Sequence, residues 1–320
     1  MTQNNNTFRG VADEFAAKRR RAEEDADTRR LQAEQMIDGL REIHIRLAES
    51  GYEIFSAALT GGDIDAKMAC IKAENESLRQ KKRELLLAAG LPEDYTEPRY
   101  ECPICHDTGY SGGLMCRCFK EALTLARLEK SGLGQLVRTQ SFDSFSFDYY
   151  TGADQAMMRM NVKALKEFAE NFTGKGDRSW LFFGDTGLGK THLSSSVAME
   201  LIHRGFDVVY MTAGSFFSVF EKQRFGDGRI GDGTDDQFYE TDLLIIDDLG
   251  TEPVNQFTLS CLYNIINSRM INGKSTIINT NLNREELRRK YADRIVSRLF
   301  GEFIPVPFAG KDIRQQKISK

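Results

Sequence analysis

Proline is missing from the whole stretch between Val11 and Gly90 of this 320-residue chain. No uninterrupted apolar run comes near the roughly 20 residues that a membrane-spanning helix needs, and the first ten residues, MTQNNNTFRG, lack the apolar centre of a secretion signal. The expected location is therefore the cytoplasm, with no membrane partner. Excess positive charge is also lacking: 43 Lys and Arg against 47 Asp and Glu leave a net charge of -4. No overall field draws the molecule to nucleic acid or anionic lipid, so any such contact must use a local patch. Six cysteines are too few for a disulfide framework in a chain of this size. Internal repeats and long low-complexity tracts are absent as well. The 41% hydrophobic and 28% charged residues fit a globular chain and exclude a collagen-like or largely disordered one. The length suits roughly two domains with a sizeable core.

Three regions follow from the patterning. Residues 1–98 are rich in Ala, Glu, Arg, Lys and Leu with both charge signs mixed, and two solvated helices are expected between Val11 and Gly90. In the second, Ile64, Met68, Ile71, Leu78, Leu85 and Ala89 form a narrow coiled-coil-like apolar seam. It can close a helical hairpin around Thr60-Gly61-Gly62 or dock on another protein. Leu91-Pro92 ends this region. Residues 99–139 form a cysteine-bearing module with a linker helix running to about Lys130. Residues 140–320 alternate apolar strands with helices, the strands falling near 179–183, 207–212, 243–247 and 275–280. The fold class is thus α/β with a parallel sheet. The glycine-rich stretch Gly226 to Gly233 reads as a loop, and Trp180 as core.

The chemistry concentrates in the third region. Gly184-Asp185-Thr186-Gly187-Leu188-Gly189-Lys190-Thr191 has the GxxxxGK[ST] pattern, directly after the apolar run Trp180 to Phe183 and before a helix opening at His192. Glycines are needed because the loop must wrap its N–H groups around phosphate oxygens. Lys190 would meet the β- and γ-phosphates of ATP, and Thr191 would offer its hydroxyl to Mg2+. The helix N-terminus adds partial positive charge. A second run, Leu243 to Asp248, ends in two carboxylates where a doubly buried strand opens into a ligand crevice. Asp247 is the expected Mg2+ partner and Asp248 the group that orients or deprotonates water; the plain alternative is that both cap the turn at Leu249-Gly250. The third of these runs, Ser275 to Asn281, ends in polar residues; Asn279 and Asn281 share a face by alternation, so that either can point an amide at the γ-phosphate. A simple turn role for Asn281 stays open.

Cys102, Cys105, Cys116 and Cys118 offer four soft thiolates, a set that suits a closed, structural Zn2+ site. His106 in place of one ligand, or reduced structural cysteines, are the alternatives. For nucleic acid, Ser215 to Phe225 interleaves aromatic and basic residues, which fits stacking on single-stranded DNA and equally an ordinary amphipathic helix.

The strings SFDSFSF, GDTGLGKTHL, LLIIDDLGTE, TIINTNLN and YADRIVSRL, in that order, resemble an AAA+ P-loop ATPase. More narrowly they resemble the DnaC/DnaI-type helicase loaders and the related IstB-type transposition ATPases. The resemblance covers about residues 140–315. It implies an AAA+ domain with His192 joining the P-loop residues at the nucleotide, Asn281 as sensor 1, Arg294 as an arginine finger and Arg314 in a sensor-2-like role. In this family the finger reaches a neighbouring subunit, which implies self-association and slow hydrolysis by a monomer. Many AAA+ enzymes carry Glu where this chain has Asp248, which points to low turnover. Loaders have comparable N-terminal zinc modules, and initiator-type AAA+ modules elaborate the region after the second strand for DNA. The function so implied is loading of a replicative DNA helicase, engaged by the N-terminal region, with single-stranded DNA along the ATPase domain. The alternatives are an IstB-like transposition accessory ATPase, or a nucleotide-gated adaptor with negligible hydrolysis.

Overall fold

A computed structural model describes residues 2–60, 64–130, 134, 139–225 and 235–318. The expected turn at Thr60-Gly61-Gly62 and the glycine-rich loop at 226–233 lie outside, except for Thr60 as a helix end. Two compact units emerge, residues 12–112 and residues 113–320 together with the first eleven.

Three helices, not the expected two, fill the N-terminal third: α1 (Thr2–Met36), α2 (Leu40–Thr60) and α3 (Ile64–Ala88). The additional break falls at Gly39, whose φ of +82° no helix accommodates. Composition alone hides it, because the residues on both sides are good helix formers. α3 ends on a glycine cap: Gly90 has φ +75°, Leu91 N–H donates to Leu86 O and Gly90 N–H to Leu87 O, each at 2.9 Å. The small core of the 12–112 unit is Ala33, Ile37, Leu40 and Leu86, flanked by Leu85, Leu91 and Tyr95. Met68, Ile71, Leu78 and Leu85 of the seam are only half-buried and Ala89 is exposed. Arg46 joins α2 to α3 through a two-pronged bond to Glu74, at 2.7 and 2.9 Å.

A two-residue hairpin, β1 (Tyr110–Ser111) and β2 (Leu114–Met115), turns at Gly112-Gly113, both at positive φ. After it come α4 (Arg117–Lys130) and α5 (Gly152–Asn171). The sheet that follows comprises β3 (Trp180–Phe183), β4 (Val208–Thr212), β5 (Leu243–Leu249), β6 (Ser275–Thr280) and β7 (Ile304–Pro307). All pairings are parallel and the order is β4-β5-β6-β3-β7. The last strand escaped the sequence reading, because its two prolines look like breakers. At a sheet edge, prolines are tolerated.

Alternation along the strands builds two cores. Phe182, Ile245 and Ile277 face one side, with α6 (Lys190–His203) contributing Leu193, Val197 and Leu201. Leu181, Leu244, Ile246 and Ile278 face the other. There they meet Phe216, Phe217 and Phe220 of α7 (Ala213–Phe225), Phe238 of α8 (Asp236–Glu240) and Leu262, Ile265 and Ile266 of α9 (Gln256–Ile271). Burial of both faces explains the near-continuous apolar runs of β3 and β5. Trp180 is core, as expected. Arg269 is wholly buried and donates to Phe238 O (2.8 Å), Thr241 O (2.9 Å) and Thr276 Oγ1 (3.0 Å). It thereby ties the start of β6 to the segment before β5. Burial pushes its guanidinium down to about 9. Three short helices complete the chain: α10 (Arg284–Lys290), α11 (Asp293–Gly301) and α12 (Ile313–Ile318).

Candidate nucleotide-binding site

The loop between β3 and α6 can exist only with glycine at its corners. Gly184, Gly187 and Gly189 have φ of +136°, +76° and +84°. A Cβ on Gly184 would stand 2.1 Å from Phe308 O, and one on Gly187 would stand 2.1 Å from a carboxylate oxygen of Asp312. Side chains there would fill the cradle as well as strain it. Gly189 caps α6 in the left-handed conformation, so the first N–H groups of the helix lie in the loop's concavity. Lys190 is 6% exposed, and its ammonium donates to Gly184 O and Asp185 O at 2.6 Å each. Burial pulls its pKa down from 10.5 to about 8, against the opposing pull of Asp247, Asp248 and Asp185.

The two carboxylates sit on a bulge. Ile246 pairs with Ile278, and Leu249 with Thr280, so Asp247 and Asp248 together oppose Asn279. Asp248 takes φ +55°, uncommon for a non-glycine residue. The kink separates the two acids in environment. Asp247 is 4% exposed; its Oδ2 accepts from Tyr210 Oη at 2.7 Å and its Oδ1 from Asn279 Nδ2 at 2.9 Å. Ser194 of α6 completes this buried network, 2.9 Å from Tyr210 Oη and 2.8 Å from Asn279 Nδ2. Burial, reinforced by the Asp247 charge, holds the Tyr210 phenol protonated far above its usual range. Asp248 is exposed, and burial of its surroundings together with Asp247 raises its carboxyl above the ordinary value.

The asparagines therefore part company. Asn279 is wholly buried and leaves its Oδ1 without a hydrogen-bond partner. Asn281 is partly exposed and reaches Asp248 Oδ1 at 3.4 Å. Sequence reasoning missed Tyr210 and Ser194; a tyrosine midway along a strand and a serine in a helix carry no spacing signal.

Around the P-loop, His192 Nε2 lies 2.9 Å from Ser141 O, so Nε2 bears the proton, and Phe145 packs edge-on against the same ring. Tyr150 Oη donates to Leu188 O at 2.9 Å. From the other side, Ile313 N–H donates to Gly187 O at 3.0 Å. Arg314 acts electrostatically on both Lys190 and Asp248, which places it with the site. Arg294 lies elsewhere: exposed, it stacks on the Tyr263 ring, 4.8 Å from its centroid, and Arg298 stacks on the same ring at 5.2 Å. Asp185 and Thr186 are exposed and Thr191 is half-buried.

The single-stranded DNA reading of residues 215–225 needs correction. Phe216, Phe217 and Phe220 are buried in the core beneath the sheet and are not available for stacking on bases. Their helical spacing marks an apolar face, the ordinary alternative.

The cysteine module gathers as its spacing suggests. The sulfurs of Cys102, Cys105, Cys116 and Cys118 all lie within 4.8 Å of one another, a set that can hold a metal ion. Asp107, buried and at φ +56°, accepts from Glu101 N–H and Cys102 N–H at 2.9 Å each. That carboxylate fixes the loop carrying the first ligand and was not legible beforehand. Among the described residues no helix is long and apolar enough to cross a membrane.

Known proteins supply the context. The curated replicative helicase loader DnaC of Escherichia coli (strain K12) is 27% identical over 154 residues, 48% of this chain and 62% of the loader, so the match spans less than two thirds of that relative. DnaC of Buchnera aphidicola subsp. Acyrthosiphon pisum (strain APS) is 25% identical over 193 residues, 59% of this chain and 74% of the relative. Among solved structures, that of the DnaC helicase loader aligns with a TM-score of 0.46 at 21% identity, covering 55% of this chain and 99% of that one. The sequence profile described as "IstB-like ATP binding protein" matches residues 122–317, well over half of the chain and all of the P-loop site, and the chain belongs to that family.

Proposed function

We propose that the protein is an ATP-driven AAA+ switch that acts on a replicative DNA helicase. The observation that carries the nucleotide reading is the joining, at one sheet end, of a glycine cradle, the desolvated Lys190 and the buried Asp247. A ligand with several negative oxygens compensates the cost of keeping an ammonium out of water. Lys190 and the loop N–H groups would bind the phosphates, while Thr191 and Asp247 would hold Mg2+. The cation would neutralise charge on the β- and γ-phosphate oxygens. Tyr210 and Asn279 fix the Asp247 carboxylate, so its oxygens cannot rotate away. Asp248, exposed at the rim while both oxygens of Asp247 are already bonded, would draw the proton from attacking water. Asn279 or Asn281 would report the γ-phosphate to the loop, and Arg314 would add positive charge from the same chain.

Arg294 stands on an exposed helix start, which suits action on the nucleotide of a second copy after self-association. An always-charged planar group there can raise turnover by about 10³ to 10⁵. The tripartite division, 1–98, 99–139 and 140–320, assigns helicase contact to the helical and cysteine-bearing regions. Single-stranded DNA, if bound, would meet charged surface instead of the buried phenylalanines. The four thiolates fit a structural Zn2+: at about 2.3 Å from the metal, tetrahedral sulfurs stand about 3.8 Å apart, compatible with the observed cluster. The names of the relatives favour a helicase partner over transposition.

Co-elution with the same organism's replicative helicase tests the partner. ATP should change the amount bound at least about fivefold, and Lys190→Ala should abolish that response. Absence of a complex with and without ATP would remove the helicase assignment.

A further inference from the structure

The loop after the two carboxylates and the helix bearing Arg294 are tied together by a buried pair to which the nucleotide chemistry gives no role. Glu252 is 5% exposed and uses both oxygens: Oε2 accepts from Gly250 N–H at 2.9 Å and Oε1 accepts from Tyr291 Oη. On the other side of the same glycine, Lys290 Nζ donates to Gly250 O. Gly250 is therefore held at both its amide and its carbonyl. Lys290 and Tyr291 stand immediately before α11, which starts at Asp293 and carries Arg294. The other end of the loop is Asp248, whose left-handed backbone is held by Thr251: N–H and Oγ1 both donate to Asp248 O, at 3.2 and 3.0 Å.

The pair supplies no side-chain cap to the N-terminus of either helix. α10 already has a complete capping box, Asn283 with Glu286, and α11 buries Ile295, Val296 and Leu299. A buried carboxylate is costly unless fully bonded, and apolar packing can often replace such a pair without loss of stability. Its geometry is informative because the Tyr291–Glu252 and Lys290–Gly250 bonds run between separate elements. Burial, aided by the Glu252 carboxylate, raises the Tyr291 phenol well above its usual pKa, so it remains a donor throughout the working range.

We propose that Glu252 and Tyr291 are positioning residues that make the Asp248 loop and the Arg294 helix a single piece, so that the state of one nucleotide site sets how that copy presents Arg294 to its neighbour. This deepens the reading above and rests on Arg294 acting on a second copy. A mechanical link of this kind couples sites because both ends bias one element.

Mixing full-length variants tests it. Asp248→Asn copies lack their own turnover but keep Arg294, and Arg294→Ala copies keep an intact site; together they should regain ATP hydrolysis that neither shows alone. Adding Tyr291→Phe to the Asp248→Asn copy should cut the regained turnover about tenfold and leave that copy's ATP affinity within about twofold. Glu252→Gln, which retains an acceptor for Tyr291, should lose less than Glu252→Ala. If Tyr291→Phe folds poorly, Lys290→Met, which removes only the bond to Gly250 O, carries the same expectation. Full recovery with Tyr291→Phe or Lys290→Met in place overturns the coupling, even though the parent pair complements. Failure of the parent pair itself overturns the assignment of Arg294 to a second copy, and the coupling with it.

Discussion

The four clustered cysteines fall between Cys102 and Cys118, whereas the nucleotide site assembles Gly184 to Thr191, Ser194, Tyr210, Asp247 and Asn279 from one loop, one helix and three strands of the sheet. One is a local object whose ligands are brought together by a hairpin turn. The other exists only once distant strands have found their register. A local site can be lost without disturbing the sheet, and a sheet-borne site depends on residues with no motif of their own. Its hidden supports are Tyr210 and Ser194, just as Asp107 is the hidden support of the cysteine loop.

Removing the metal should give the largest and most confined effect. Purified protein is expected to carry about one Zn2+ per chain, and Cys105→Ser or a strong chelator should release it and open residues 102–118 to proteolysis. ATP affinity should stay within about twofold. A metal-free, correctly reduced protein would break the comparison at its local end, and collapse of ATP binding on chelation would show that the two sites are not independent.

A smaller effect sharpens the other end. Lys190 loses its proton near pH 8 in the folded chain instead of near 10.5, while phosphate binding needs the ammonium. Above about pH 8, ATP binding must take up a proton, so affinity should fall with rising pH by up to about tenfold per pH unit. The sign for folding is opposite: between about pH 8 and 10.5 the unfolded chain holds this proton more tightly, so the lysine's contribution to stability rises with pH there. Titrations with ATP at about pH 7, 8 and 9 check the first statement. An affinity that does not change would place the lysine away from the phosphates.

How much could be read in advance follows the same divide. The P-loop, the carboxylate pair and the cysteine cluster were legible because each is a contiguous string whose spacing carries the chemistry. The bulge at Asp247-Asp248 was not, since it arises from the pairing of β5 with β6, and with it went the distinction between Asn279, inside, and Asn281, at the rim. Alternation reaches only to the strand's end at Thr280, one residue short of Asn281, and could not supply burial. The α7 phenylalanines looked like a stacking platform because an interleaved aromatic and basic string is the same for a helix facing bases and one facing a sheet. Gly39 shows the reverse case: one residue at positive φ outweighed the helical composition around it.

Calorimetric titration of Mg2+ and ATP into the intact, reduced chain tests the central claim most directly. Saturable binding with about one nucleotide per chain is expected, weakened at least about thirtyfold, or about 2 kcal/mol, by Lys190→Ala. No heat of binding from folded wild-type protein, or equal affinity in the Lys190→Ala variant, would contradict it.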